Sequence, residues 1–106
     1  MAENFIKDKV YIDFEIINNS EPDKLIEEFK MIIGLNKVII VWSKTETLLD
    51  MFVYSRDNGL EDYIWDYKLK DSFYYGSVDF LIDNDQRLVD MFVRNGVKAN
   101  CITKVV

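Results

Sequence analysis

Acidic and hydroxyl side chains follow three apolar segments of this chain, each at the point where the segment ends. Asp13 and Glu15 come after the apolar residues of "DKVYI", Ser43 follows "KVIIVW", and Asp83 and Asp85 follow "VDFLI". Carboxylates that lie close together repel each other unless a cation neutralises them. Because all of these groups offer oxygen ligands, they suit Mg²⁺ better than zinc or copper. The residue types therefore indicate a magnesium site, provided that the fold brings the three segments together.

Ser43 and two lysines extend this set towards phosphate chemistry. Ser43 lies at the start of a predicted helix, where backbone N–H groups favour a bound phosphate. Lys68 and Lys70 precede the segment "VDFLI" and would offset negative charge. Metal, hydroxyl, helix N-terminus and lysine together are typical of a phosphoryl-transfer site, in which an Asp can act as the nucleophile through an aspartyl phosphate.

Each of these residues also has a purely structural interpretation. Asp residues after strands are common in turns, because their side chains accept hydrogen bonds from the nearby backbone. Ser43 suits a helix cap, the segment Asp83–Asp85 suits a turn followed by a helix N-cap, and the lysines suit solvent-exposed positions. The functional interpretation therefore depends on whether these side chains meet at one edge of a sheet.

The elements that would position these residues alternate between strands and helices. Strands are predicted over residues 8–14, 37–42, 62–67, 78–82 and 97–102. Helices are predicted from Ser20, as the N-cap, to Gly34, from the Ser43–Thr45 region to Asn58-Gly59, and over residues 85–96, with a loop over roughly 68–77. Such alternation predicts a single α/β domain with a mostly parallel sheet and right-handed crossovers. Ligands bind beyond the carboxyl ends of the strands in such sheets, which is where the acids and Ser43 fall.

Composition narrows the classes of function. The chain has 106 residues, 49% of them hydrophobic, which is enough for one domain with its own core. Its net charge of −6 argues against non-specific binding of nucleic acids. Without any histidine, the chain cannot use a Ser-His-Asp triad or His-ligated zinc. The lone cysteine, Cys101, and the lack of a long apolar segment predict a cytoplasmic protein with no membrane partner.

Aromatic residues crowd one region of the chain, between positions 63 and 75. They are Tyr63, Trp65, Tyr67, Phe73, Tyr74 and Tyr75. Aromatic side chains often anchor protein interfaces. If the third strand lies at a sheet edge, this region predicts a homodimer.

Several stretches resemble motifs of the haloacid dehalogenase (HAD) superfamily, in its small, capless, phosphatase-like form. "VYIDFEIIN" resembles the first motif, "VIIVWSK" the second and "VDFLIDND" the fourth, and a lysine upstream of the fourth strand matches the third. "GLEDYIWD" is similar to the stretch after the second helix in small members. The resemblance covers nearly the whole chain and implies one HAD-like, Rossmann-like three-layer domain over residues 1–106, without a cap domain. The implied activity is Mg²⁺-dependent hydrolysis of a phosphorylated substrate, small or macromolecular.

The resemblance also implies roles for the residues at the matching positions. Asp13 would be the nucleophile, and Glu15 would occupy the general acid/base position. Ser43 would hold the phosphoryl group, and Lys70 or Lys68 would neutralise charge. The implied Mg²⁺ ligands are Asp13, Glu15 through its backbone carbonyl, Asp83 and, assisting, Asp85.

Two other interpretations remain open from the sequence. Glu15, Ile16 and Ile17 stand where active members of the superfamily usually have Asp, Gly and Thr. A catalytically inactive HAD-like binding or assembly module is therefore the alternative hypothesis. A receiver-like phospho-acceptor domain is the third, although it places its acceptor after the third strand, where Asp66 is the nearest acid.

Overall fold

The structure is a computed structural model that describes residues 7–71 and 75–106. Its strands are β1 (Asp8–Asp13), β2 (Lys37–Ser43), β3 (Asp66–Leu69), β4 (Phe80–Asp83) and β5 (Lys98–Cys101). Its α-helices are α1 (Phe14–Asn19), α2 (Pro22–Gly34), α3 (Leu48–Asp57) and α4 (Gln86–Arg94). Two short 3-10 turns, Glu61–Tyr63 and Tyr75–Ser77, lie in the connections on either side of β3.

The strands of the described part form one parallel sheet of five strands in the order β3-β2-β1-β4-β5. The chain moves outwards from β1 through β2 to β3, and then crosses back to β4 and β5 on the other side of β1. The direction of progression therefore reverses between β1 and β4. The predicted α/β class with a mostly parallel sheet is confirmed, and the strand order is consistent with a Rossmann-like fold.

Helices cover both faces of the sheet, because alternate residues of the central strands point to opposite sides. On one face, apolar side chains of the first two strands pack against α1, α2 and α3; these strand residues are Val10, Ile12, Ile39 and Val41. On the other face, strand residues pack against Val89 and Phe92 of α4; they are Tyr11, Ile40, Trp42 and Leu81. The central strands are thus enclosed on both sides, which fixes the positions of their ends.

The sequence does not predict helix α1. The predicted first strand runs to residue 14, and no helix is predicted between it and Ser20. In the structure the chain turns into the helix directly after Asp13. Ile16 and Ile17, which replace the Gly and Thr of the resembled motif, are both 0% exposed and belong to the core. A helix of six residues is too short to display its period, so its adjacent apolar residues look like the end of a strand.

The third strand lies later in the chain than predicted. β3 covers Asp66–Leu69 rather than residues 62–67, and Glu61–Tyr63 forms a 3-10 turn. Ile64 favours a strand by residue type, but it packs against the core from the connection before β3. Within the described residues β3 pairs with β2 alone and lies at the end of the sheet. The shift places Lys70 just beyond the carboxyl end of the strand.

The surface bears on two predictions about partners. Trp65, in the aromatic region, is 68% exposed, whereas Phe73 and Tyr74 lie outside the described residues. The homodimer therefore stays a prediction. Among residues 7–71 and 75–106, no helix combines the length and the apolar character needed to cross a bilayer.

Ser20 has a different role from the predicted one. It follows α1 as its C-cap, and Glu21 precedes α2 instead. The buried Ser20 hydroxyl donates a hydrogen bond to the Ile16 carbonyl at 2.6 Å and accepts one from the Val105 N–H at 2.9 Å. One side chain thus joins α1 to the segment after β5.

We expect the substitution Ser20→Ala to lower the free energy of unfolding by about 1–3 kcal/mol, because it leaves the Val105 N–H without its acceptor. Urea denaturation followed by circular dichroism measures this change. Thr103→Ala, at an exposed position nearby, is the control and should stay within about 0.5 kcal/mol of wild type. Equal stability of the two variants would show that the Ser20 contacts are dispensable.

Candidate functional site

Two aspartates end the two strands between which the sheet reverses its direction. Asp13 is the last residue of β1, and Asp83 is the last residue of β4. The strands are neighbours, with Tyr11 paired to Leu81 two residues before the aspartates. Open α/β sheets bind ligands outside the carboxyl ends of the strands at this reversal point. The topology alone therefore marks the two carboxylates as a candidate site.

Lys70 joins the two aspartates through its side chain. Its Nζ atom lies 2.6 Å from Asp13 Oδ1 and 2.7 Å from Asp83 Oδ2. The Lys70 backbone N–H donates to the Ser43 carbonyl at 2.9 Å, which fixes the chain just after β3. From there the side chain crosses the end of β2, with Nζ 5.4 Å from the ring centre of Trp42. Residues from three separate segments thus form one contact group, which we call the Asp13–Lys70–Asp83 triad.

The triad is nearly inaccessible to solvent and carries a net negative charge when both carboxylates are ionised. The exposed fractions of the side chains are 7% for Asp13, 11% for Lys70 and 0% for Asp83. Burial raises the pKa of Asp83 and outweighs the opposing effect of the Lys70 ammonium, and the nearby Asp13 charge acts in the same direction as burial. Buried ion pairs contribute little net stability, because desolvation offsets their attraction. A buried group of two acids and one base at this edge of the sheet is therefore a candidate functional site.

Backbone N–H groups hold the other oxygen of each carboxylate. Asp13 Oδ2 accepts a hydrogen bond from the Glu15 N–H at 2.9 Å, which makes Asp13 the N-cap of α1. Asp83 Oδ1 accepts one from the Asp85 N–H at 3.0 Å. Both carboxylates are therefore fixed in orientation by the chain that follows them.

Ser43 lies at the same edge, as the last residue of β2, and is buried. Its hydroxyl accepts hydrogen bonds from the N–H groups of Thr45 at 3.1 Å and Glu46 at 2.9 Å. The prediction that Ser43 begins a helix is wrong, because Thr47 is the N-cap of α3. Ser43 instead orders the turn before α3, and its hydroxyl proton can still be donated to a ligand.

The other predicted site residues lie close to the triad without joining it. The exposed Glu15 carboxylate accepts a hydrogen bond from the Asn84 side chain, a contact that sequence reasoning missed. Asp85 caps α4, and its Oδ1 accepts from the N–H groups of Arg87 at 3.0 Å and Leu88 at 3.3 Å. The metal-binding roles of Glu15 and Asp85 stay predictions. Lys68 is exposed on β3, so Lys70 is the lysine that the structure brings to the acids.

Mg²⁺ is the metal that the resemblance implies, and the donor set is chemically suited to it. No group of three or more acidic, histidine or cysteine side chains arranged to hold a metal occurs within residues 7–71 and 75–106. Mg²⁺ is commonly bound by only one or two carboxylates, with water and substrate phosphate as its other ligands. Asp13 and Asp83 would supply that number, and their net charge with Lys70 favours a cation.

We expect the substitution Lys70→Met to lower the free energy of unfolding by about 3–5 kcal/mol at pH 7, because it leaves two buried carboxylates without their counter-ion. The loss should shrink as the pH approaches 4, where protonation of a carboxylate relieves the repulsion. Urea denaturation at a series of pH values measures both effects. The exposed Lys68→Met variant is the matched control, with an expected change within about 0.5 kcal/mol. An equal decrease in the free energy of unfolding in the two variants would contradict the ion pairs of the triad.

The raised pKa of Asp83 predicts a pH dependence of stability. Because the folded state binds the proton more tightly than the unfolded state, ionised Asp83 destabilises the fold above its raised pKa. That penalty disappears as the pH falls towards the ordinary carboxyl range. In EDTA-containing buffer, wild type should therefore gain stability relative to Asp83→Asn between pH 7 and pH 4, as measured by urea denaturation. Asp85→Asn, which keeps Asp83 and a good N-cap, should gain stability relative to Asp83→Asn as wild type does. A loss of stability of wild type relative to Asp83→Asn over the same pH range would contradict the assignment.

Comparisons of the chain with protein-family models, with curated proteins and with solved structures give no match. A functional interpretation of the triad must therefore come from its own geometry and chemistry.

Proposed function

We propose that this chain is a Mg²⁺-dependent phosphohydrolase of the capless HAD type, with Asp13 as its nucleophile. The observation that carries the proposal is the position of Lys70 Nζ, which lies within 2.7 Å of one carboxylate oxygen of Asp13 and one of Asp83. These aspartates end the two strands between which the sheet reverses its direction. These residues come from three motifs that the resemblance selects in the sequence. The contact between residues from three separate motifs supports the resemblance more strongly than the match of any single motif does.

The chemistry of the edge suits a phosphoryl group. Catalysis of phosphoryl transfer depends largely on positioning and on stabilisation of the charge of the transferred group, in addition to the covalent step at Asp13. Lys70 and the Ser43 hydroxyl offer donors for phosphoryl oxygens, and the two carboxylates offer a nucleophile and metal ligands. The net charge of −6 makes the protein as a whole repel anions, so a phosphorylated substrate needs the Lys70 ammonium and a bound cation to offset that repulsion.

The reaction would proceed in two steps through Asp13. A carboxylate oxygen of Asp13 forms a bond to phosphorus as the bond between phosphorus and the ester oxygen breaks. The leaving alcohol takes a proton, for which Glu15, at the exposed rim beside Asp13, is the candidate donor. Water then attacks phosphorus and gives a proton to the Glu15 carboxylate, the bond between phosphorus and Asp13 breaks, and phosphate leaves with the Asp13 carboxylate restored. Bound Mg²⁺ would neutralise charge on the phosphoryl oxygens, while Lys70 and Ser43 would hold them in place.

A specific observation favours the alternative of an inactive HAD-like binding or assembly module. The Glu15 carboxylate is hydrogen-bonded to Asn84, and the buried Ile16 and Ile17 anchor helix α1 on which Glu15 lies. General acid/base catalysis requires Glu15 to leave Asn84 and reach the leaving group. If Glu15 keeps its partner, the site binds phosphate and metal without turnover.

Hydrolysis of p-nitrophenyl phosphate tests the proposed activity. We expect turnover with Mg²⁺, loss of turnover with EDTA, and a decrease of about 10³-fold or more in Asp13→Asn, because this variant lacks the nucleophile. Asp90→Asn, which alters an exposed acid on α4, should stay within about threefold of wild type.

Two results would overturn the enzymatic proposal. Turnover that is unchanged in Asp13→Asn would exclude Asp13 as the nucleophile. Absence of turnover in wild type, together with a rise in thermal stability on addition of Mg²⁺, would instead favour the inactive binding module, since ligands that bind the folded state stabilise it.

A further inference from the structure

The Lys70 ammonium lies in the region that a cation bound to both aspartates would approach. It is 2.6 Å from Asp13 Oδ1 and 2.7 Å from Asp83 Oδ2, so it lies between one oxygen of each carboxylate. Two positive charges at such separations repel strongly in a buried environment. A metal ion and the ammonium therefore compete for the same pair of carboxylates.

Among the described groups that hold the carboxylates, Lys70 is the one with a side chain that can move without moving a helix. The donors to Asp13 Oδ2 and Asp83 Oδ1 are backbone N–H groups of Glu15 and Asp85, at the starts of α1 and α4. Moving them would disrupt helices that are packed into the core. Lys70 contacts the carboxylates through a flexible four-carbon side chain, while its backbone N–H donates to the Ser43 carbonyl. Entry of a cation would thus displace the ammonium and leave both carboxylates in place.

We propose that Lys70 couples the binding of the metal to the binding of the phosphoryl group. This inference rests on the proposed function and concerns its order of assembly. A metal ion that binds alone displaces Lys70 from its two partners and leaves the ammonium without a counter-ion. A phosphate that binds alone meets two buried carboxylates with a single ammonium to offset them. When both bind, the metal pairs with Asp13 and Asp83, and the ammonium pairs with a phosphoryl oxygen.

Each ligand should therefore strengthen the binding of the other, by the same factor in both directions. Lys70 is a positioning residue in this scheme, and it acts through the ligands that it exchanges. A merely structural Lys70 would change the stability of the fold but would leave the ratio of affinities with and without the second ligand unchanged.

Isothermal titration calorimetry with MgCl₂, in the presence and absence of inorganic phosphate, measures this coupling. In wild type and in the control Lys68→Met, phosphate should strengthen Mg²⁺ binding by about 5–150-fold, the usual range for coupled sites. In Lys70→Met, Mg²⁺ alone should bind more tightly than to wild type. The factor by which phosphate strengthens Mg²⁺ binding should fall by about fivefold or more, to the part that direct contact between metal and phosphate supplies. Lys70→Gln, which keeps a polar donor without the charge, should behave in the same way and serves if Lys70→Met does not fold.

The outcomes separate this inference from the proposed function. If wild type binds both ligands but independently, or if the coupling factor in Lys70→Gln equals that of wild type, the inference is wrong and the proposed function stands. If wild type binds neither Mg²⁺ nor phosphate, the proposed function itself is wrong, and the inference with it. A reduced coupling factor in the Lys70 variants but not in Lys68→Met, together with tighter binding of Mg²⁺ alone, would establish the exchange.

Discussion

The contact of one ammonium with two buried carboxylates is the constraint around which the sheet edge is organised. Asp13 and Asp83 end adjacent strands that are enclosed on both faces, so they cannot move apart to relieve their repulsion. The compensating charge has to come from a part of the chain that reaches the same edge. The connection that leaves β3 supplies it, since Lys70 is the first residue beyond that strand. The position of β3 along the chain is therefore tied to the charge of the site.

The two kinds of donor to the carboxylates have different mechanical properties. Backbone N–H groups from α1 and α4 set the orientation of Asp13 and Asp83, and these helices are anchored by buried residues such as Ile16 and Phe92. Lys70 neutralises part of the charge of these aspartates through a side chain that can change its conformation. A fixed pair of carboxylates with a movable counter-ion is the arrangement that an exchange of cations requires, whether or not turnover follows. Glu15 and Asn84 form the exposed border of this arrangement.

Much of the edge was predictable, because it follows from local rules. Parallel strands share the direction of their carboxyl ends, so Asp13, Ser43 and Asp83 had to lie at one edge once the strands were identified. Helix ends at Asn58-Gly59 and Asn95-Gly96 were also predictable, because glycine adopts the positive φ that commonly ends a helix. In the structure Gly59 and Gly96 have φ values of 73° and 84°.

The remaining features depend on tertiary contacts that no local pattern encodes. Helix α1 is short, and its apolar residues face a core formed by distant strands. The choice of Lys70 over Lys68 follows from where β3 ends, and that boundary is set by pairing with β2. The partners of Glu15 and Asp85 were likewise open, because an acid near a strand end can cap a helix, bind a neighbour or ligate a metal. Residue type alone does not distinguish these roles.

The short strand β3 has a consequence for the local dynamics of the molecule. It has four residues, three of them exposed, and such a strand at the end of a sheet would ordinarily fray, exchanging its amide hydrogens rapidly with solvent. Fraying that reaches Leu69 would also withdraw Lys70 and leave the carboxylates bare in the interior. The electrostatic cost of that state adds to the few hydrogen bonds of β3. Strand β3 and the ion pairs of Lys70 should consequently open as one cooperative unit, so the buried acids stabilise this end of the sheet against fraying.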